Sequence, residues 1–90
     1  IMYIYCISDG KELCKFGFSN NPETRLKSLQ TGNPNKLTIV ESIFIENDVS
    51  KLEKKLHREY AMRRVHGEWF NATPEEGKDM LRWFEIHYIN

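Results

Sequence analysis

The sequence predicts an α+β domain, a small three-stranded antiparallel sheet flanked by helices in the order β-β-α-β-α-α. Three observations predict it. Two short apolar runs, residues 2–7 and 13–18, flank the turn signal Ser8-Asp9-Gly10 and read as a hairpin. Residues 37–45, LTIVESIFI, carry two alternating sets that are both mostly apolar, which suits a third strand. The second half of the chain then shows helix-start signals and apolar stripes of helical period.

The elements follow in order. MYIYCI, residues 2–7, is uninterrupted, apolar and rich in aromatic and β-branched residues, so it reads as a strand covered on both faces. LCKFGF, residues 13–18, is its returning partner. The pattern leaves the hairpin register open. A two-residue Asp9-Gly10 turn puts Tyr5 on the face of Cys14 and Phe16. A three-residue loop with Gly10 in the left-handed region puts Tyr3 and Tyr5 on the face of Lys15 and Gly17. Asn20-Asn21-Pro22-Glu23 opens a helix with an Asn cap, Pro at the first position and an acid at the positive end of the dipole. Gly32 ends it, and Asn33-Pro34-Asn35 makes the loop to the third strand. Residues 50–66 read as a helical stretch after Asn47-Asp48, with Val49, Leu52, Leu56 and Tyr60 on one stripe at about 100° per residue. It ends in Arg63-Arg64 and turns through Gly67, with at most a short extended piece at 68–71. Thr73-Pro74-Glu75-Glu76 is a capping box that starts the last helix, with Gly77, Met80, Leu81, Phe84 and Tyr88 on one side.

Ninety residues make one small domain with a single compact core, read here as residues 1–90, and the aromatic content argues against disorder. Ile1 precedes the first methionine, which reads as an expression scar or a cut from a longer chain. Formal net charge is zero, so the chain is not a generic polycation. The charge is uneven: residues 49–66 hold six Lys/Arg against two Glu, and residues 67–90 hold five acids against Lys78 and Arg82. One face is therefore basic enough to touch phosphate, or it is a solvated helix face with i,i+4 pairs. Cys6 and Cys14 are too few for a structural zinc site or a disulfide scaffold, and they read as buried thiols. No signal peptide and no long apolar run is present, so the expectation is a reducing, cytoplasmic setting without a membrane partner.

Glu53 is the first residue to explain. It lies on the edge of the apolar stripe, on a flank shared with His57 and Arg64, where a carboxylate needs a metal, an arginine or a hydrogen bond. Its plainer reading is an ion pair with Arg64 or a Lys. The Glu53/His57 spacing alone does not make a zinc site, because no third His or Cys clusters with it.

Taken together, several pieces resemble a known family. A hairpin reading Tyr-Ile-Tyr, then Lys-Phe-Gly, then Asn-Pro-x-x-Arg on a helix resembles the GIY-YIG nuclease superfamily. Leu29-Gln30-Thr31-Gly32-Asn33-Pro34, Leu52-Glu53 with His57, and Gly67-Glu68-Trp69-Phe70 resemble its branch best known from phage and phage-like proteins. The resemblance covers residues 2–71 and implies a GIY-YIG-like fold and a DNA endonuclease that hydrolyses phosphodiesters with one divalent cation, Mg²⁺, for which Mn²⁺ substitutes. By the same resemblance, Tyr5 is the general base or water-orienting group, Arg25 the helix arginine, Glu53 the metal ligand and Asn71 the late asparagine. Tyr3 stands where the first tripeptide normally has Gly, and Lys15 where the second has its tyrosine. A cation at position 15 would offset charge at the scissile phosphate without acting as a phenol does.

The chemistry needs an activated water, stabilisation of the phosphorane-like charge and help for the leaving oxygen. Mg²⁺ typically uses one or two protein carboxylates, so Glu53 alone is sufficient. Tyr5 needs a lowered pKa, since a free phenol titrates near about 10, and Lys15 and Arg25 are the expected causes. Arg25 offers a planar fork for a phosphate oxygen, and His57 a proton donor, a phosphate contact or a second base. Asn71 is expected to bond a metal water or to lock Glu53, or else to be a turn residue. Lys54, Arg63 and Arg64 are the expected DNA contacts. For a tyrosine and a cation to converge on one phosphate, the hairpin must take the register that puts Tyr3, Tyr5, Lys15 and Gly17 on one face. The competing functions are a non-cleaving nucleic-acid-binding module of the same fold, and a protein-interaction domain using Trp69, Trp83 and Tyr88. No small-molecule cofactor is expected. So small a domain has little surface for reading a long DNA site, which points to a homodimer, an appended DNA-binding domain or a partner.

Overall fold

The computed structural model describes residues 1–89. Five strands form one antiparallel sheet: β1 (Met2–Ser8), β2 (Leu13–Ser19), β3 (Thr38–Ile45), β4 (Arg64–His66) and β5 (Trp69–Asn71). Their order is β3-β1-β2-β5-β4. Three α-helices pack on it, α1 (Pro22–Gln30), α2 (Val49–Glu59) and α3 (Pro74–Phe84), and a π-helical turn spans Glu85–Ile89. The expected three-stranded sheet is thus enlarged to five by a hairpin turning at Gly67, whose φ of 56° lies in the left-handed region. The two added strands are three residues each, and Arg64, Val65 and His66 are all exposed, so no alternating burial marks β4.

β1 lies inside the sheet because it has apolar residues for both faces. Ile4 and Cys6 join Cys14 and Phe16 in the main core, covered by Leu56 of α2 and by Met80, Leu81 and Phe84 of α3. Gly77 lets α3 lie directly on the two thiols, since a methyl there would stand 2.5 Å from Cys14 Sγ and 2.8 Å from Cys6 Sγ. Both cysteines are free and fully buried. The other face is thinner. Tyr5, Ile7 and Leu37 are buried there against Leu26, Leu29, Ile39 and Trp69, and α1 has no buried residue of its own.

The hairpin register pairs Tyr5 with Gly17 and Ile7 with Lys15, which puts Tyr5, Lys15 and Gly17 on the α1 face. The loop explains this choice. Asp9 does not sit at a two-residue turn. Its Oδ1 accepts the amides of Lys11 and Leu13, while Ser8 Oγ accepts the amide of Gly10, which has φ 80°. Helix starts follow the sequence: Asn21 accepts the Thr24 amide, and Thr73 and Glu76 make the reciprocal capping box. α2 stops at Glu59, earlier than its sequence implies. Tyr60 leaves the helical conformation, donates its hydroxyl to the Met80 carbonyl and stacks on Phe16, and Ala61–Arg63 continue as a single 3-10 turn. Among the described residues no helix is long and apolar enough to cross a membrane.

Candidate active site

Gly17 is the point on which the site converges. The Tyr5 phenol lies over it, so that a Cβ at position 17 would stand 2.6 Å from Tyr5 Oη and 3.1 Å from Glu68 Oε1. Any side chain at 17 would displace both groups. Tyr5 is fully buried, and among the described residues its hydroxyl has no hydrogen-bond partner. Buried hydroxyls are normally paired, so an unpaired one directed at a charged cluster marks a place where a further group belongs.

Lys15, on the same face two residues earlier, places Nζ 3.2 Å from Glu68 Oε1 and 5.6 Å from the Trp69 ring centroid. The β4–β5 turn delivers Glu68. α2 delivers Glu53 and His57 one turn apart, past the end of short β5, where the edge of β2 is open. The backbone of Phe16 ties these together: its N–H donates to the Glu68 carbonyl at 3.1 Å, and its carbonyl accepts from His57 Nε2 at 2.8 Å. The His57 ring also meets the Phe70 ring edge-on, 5.1 Å between centroids. One ligand atom each from Glu53, His57 and Glu68 lies within 4.8 Å of the other two.

Burial is the main cause that raises the Glu53 carboxyl to about 7, followed by the charge of Glu68 and a hydrogen bond with it; Lys15 and Lys54 offset part of this. Glu53 therefore holds a proton near neutrality unless a cation takes its place. Tyr5 differs from expectation. Burial raises its pKa, and Arg25 lowers it by less, while Glu68 and Glu53 push it further up. Lys15, the other expected activator, is engaged by Glu68. Tyr5 is accordingly a neutral phenol, a hydrogen-bond donor rather than a ready base.

The expected site residues divide. Tyr5, Lys15, Glu53 and His57 come together at Gly17, and Arg25 on exposed α1 is close enough to act on Tyr5. Asn71 is not brought to them. It pairs with Leu13, four positions along β2 from Gly17, about 13 Å away at strand rise. Arg64 does not share the Glu53 flank, because α2 has already ended; its Nε donates to the Gly67 carbonyl. Arg63 reaches the Asn71 carbonyl at 3.2 Å and Glu76 at 3.7 Å. Lys54 is exposed on α2 beside Glu53. Glu68 is the residue that sequence reasoning passed over. Its signal was its place beside Gly67, at a turn that must bring an acid back onto the sheet.

The family model of the T5orf172 domain matches residues 1–85, nearly the whole chain. That domain is found in phage-type and GIY-YIG-like nuclease-associated proteins. No curated protein and no solved structure matches the chain.

Proposed function

We propose that this chain, which belongs to the T5orf172 domain family, is a GIY-YIG-like endonuclease domain that hydrolyses DNA phosphodiesters with a divalent cation held by Glu53. The observation that carries the reading is the convergence of a phenol, a lysine, a carboxylate and an imidazole from β1, β2 and α2 on the bare backbone of Gly17. The residues fit a cation: the donors are close together, and the buried Tyr5 hydroxyl lacks a partner. When bound, Mg²⁺ or Mn²⁺ would polarise the phosphate and acidify a water.

The chain's own groups supply the rest. Tyr5, neutral and buried, donates a hydrogen bond that orients the incoming water or a phosphate oxygen. Arg25 sets a guanidinium beside it for a non-bridging oxygen. Lys15 adds positive charge at the position where the resembled family has its second tyrosine. His57 donates Nε2–H to the Phe16 carbonyl, which fixes its ring beside Glu53 and Glu68. Lys54, Arg63 and Arg64 offer backbone contacts to DNA, with the arginines already anchored at the β4–β5 hairpin. The Lys15–Glu68 pair favours a second reading, because it neutralises the cation that would face phosphate: a nucleic-acid-binding module that does not cut.

Supercoiled plasmid incubated with Mg²⁺ or Mn²⁺ separates the two readings. Wild type is expected to nick, and Glu53→Gln to nick about 10²–10³-fold more slowly while still binding DNA. Binding without nicking by wild type selects the second reading. Undiminished nicking by a folded Glu53→Gln removes Glu53 from the site.

A further inference from the structure

We propose that Glu68 is a second carboxylate ligand of the cation at Glu53, with His57 as the third protein donor, and that this set takes Mn²⁺ in preference to Mg²⁺. The inference rests on reading Glu53 as a cation ligand and goes beyond it, since that reading assigns one ligand only.

Geometry is the first support. A cation about 2.0–2.2 Å from each donor needs donors no more than about 4.4 Å apart. One carboxylate oxygen each of Glu53 and Glu68 and one ring nitrogen of His57 already lie within 4.8 Å of one another, so side-chain adjustments bring the set together. The second support is independent. The Tyr5 hydroxyl, fully buried and without a hydrogen-bond partner among the described residues, shares the surface of Gly17 with Glu68 Oε1. It is placed to donate to a water or phosphate oxygen on such an ion. The third is the orientation of His57. A carbonyl can only accept, so Nε2 donates to Phe16 and Nδ1 is the ring nitrogen left for an ion. Metal-bound imidazoles are commonly held this way, by a backbone carbonyl on the other nitrogen.

The donor chemistry then selects the ion. Two carboxylates alone suit Mg²⁺ as well as Mn²⁺, whereas an imidazole favours a first-row transition ion. Without the ion, Lys15 is the counter-charge of Glu68, 3.2 Å away. When Glu68 turns to the cation, Lys15 is released toward the place where phosphate would lie. Cation binding and the availability of Lys15 are thus linked.

Calorimetric titration of the DNA-free protein with Mn²⁺ and with Mg²⁺ tests this without reference to cleavage. Wild type is expected to bind one Mn²⁺ per chain, at least about tenfold more tightly than Mg²⁺. Glu68→Gln is expected to lose about tenfold or more in Mn²⁺ affinity with an unchanged melt, because Glu68 lies at a turn and its side chain is 38% exposed. Glu68→Asp keeps the charge but shortens the arm, and is expected to lose affinity as well. Lys15→Met frees Glu68 and is expected to tighten Mn²⁺ several-fold. Wild-type Mn²⁺ affinity in Glu68→Gln, full affinity in Glu68→Asp, or no Mn²⁺ uptake by wild type at millimolar concentration each overturns the proposal. Loss of Mn²⁺ binding in the Glu68 variants of a protein that never nicks DNA supports the site and removes the nuclease reading. Nicking that depends on Glu53, with Mn²⁺ binding indifferent to Glu68, does the reverse.

Discussion

The two faces of the sheet are built on different terms. On the α2–α3 face, Cys6, Cys14, Phe16, Leu56, Leu81 and Phe84 are fully buried, and Gly77 lets helix and sheet touch. On the α1 face the helix contributes no buried residue, and the largest buried side chain, Tyr5, ends in an unpaired hydroxyl. One face is optimised for packing. The other keeps a desolvated phenol and a half-buried lysine close together, with the raised carboxyl of Glu53 reaching them from α2 past the sheet edge, which a core chosen for stability would not. Stability and chemistry are therefore expected to respond separately to substitution.

The sharpest way to break that comparison is a crossed pair. Leu56→Ala removes a fully buried side chain and is expected to cost about 2–5 kcal/mol in urea unfolding. Glu53→Gln, one turn earlier on the same helix, is expected to leave stability unchanged or slightly higher while nicking falls by orders of magnitude. A destabilised Glu53→Gln would make the carboxylate part of the core's support, and the distinction would fail.

Acidity gives the next largest effect. Glu53 is raised to about 7 in the folded chain from an ordinary 4.5. Between those values the native state keeps a proton that the unfolded chain has released. Metal-free stability from this group is therefore fully present below about pH 4.5, falls as pH rises toward about 7, and is flat above it. The full shift corresponds to about 3 kcal/mol, which partial solvation reduces to about 1–2 kcal/mol. Glu53→Gln is expected to remove this slope, and a pH series of thermal melts on both proteins would show whether it does.

Tyr5→Phe sharpens the contrast from the other side. Deleting a buried, unpaired hydroxyl is expected to raise stability by about 1 kcal/mol and to lower nicking. A less stable Tyr5→Phe in the same melts would mean that the hydroxyl is satisfied. The smallest effect is expected from Arg63→Ala with Arg64→Ala. DNA affinity should weaken and its salt dependence flatten, since fewer counterions are released. Identical salt slopes in gel-shift assays would leave both arginines as anchors of the β4–β5 hairpin.

Much of this was legible in the sequence, and the gaps have physical causes. The continuous apolar run of β1, the alternation of β3 and the capping signals at Asn21 and Thr73 are local, and the elements formed as they imply. The hairpin register was open until the requirement that Tyr5 meet Lys15 was applied; the structure reaches it through Asp9, which closes the loop with its own carboxylate. β5 was expected only as a short extended piece at 68–71, and β4 was hidden because a three-residue strand with all side chains exposed carries no period. The end of α2 was hidden because Tyr60 continues its stripe and leaves the helix only to reach Met80, a tertiary contact. Glu68 was passed over for a related reason: beyond its place beside Gly67, its meaning depends on Lys15, which a long chain separation brings beside it.

The attachment of β5 has a consequence for the order in which the molecule comes apart. Three residue pairs, Leu13↔Asn71, Cys14↔Phe70 and Lys15↔Trp69, join β5 to β2, flanked by the Phe16–Glu68 and Ala72–Glu12 backbone hydrogen bonds and backed by buried Phe70, and β4 beyond it is an exposed edge. The β1–β2 hairpin has six pairs and forms from neighbours in the chain, so it needs no such long closure. Glu68 is carried on the weaker attachment. A local opening that lifts β4 and β5 would scatter the cluster while β1, β2 and β3 stay paired. The site thus hangs on a shorter attachment than the fold does, and lifting of the β4–β5 ribbon is expected to scatter it while the longer β1–β2 pairing holds.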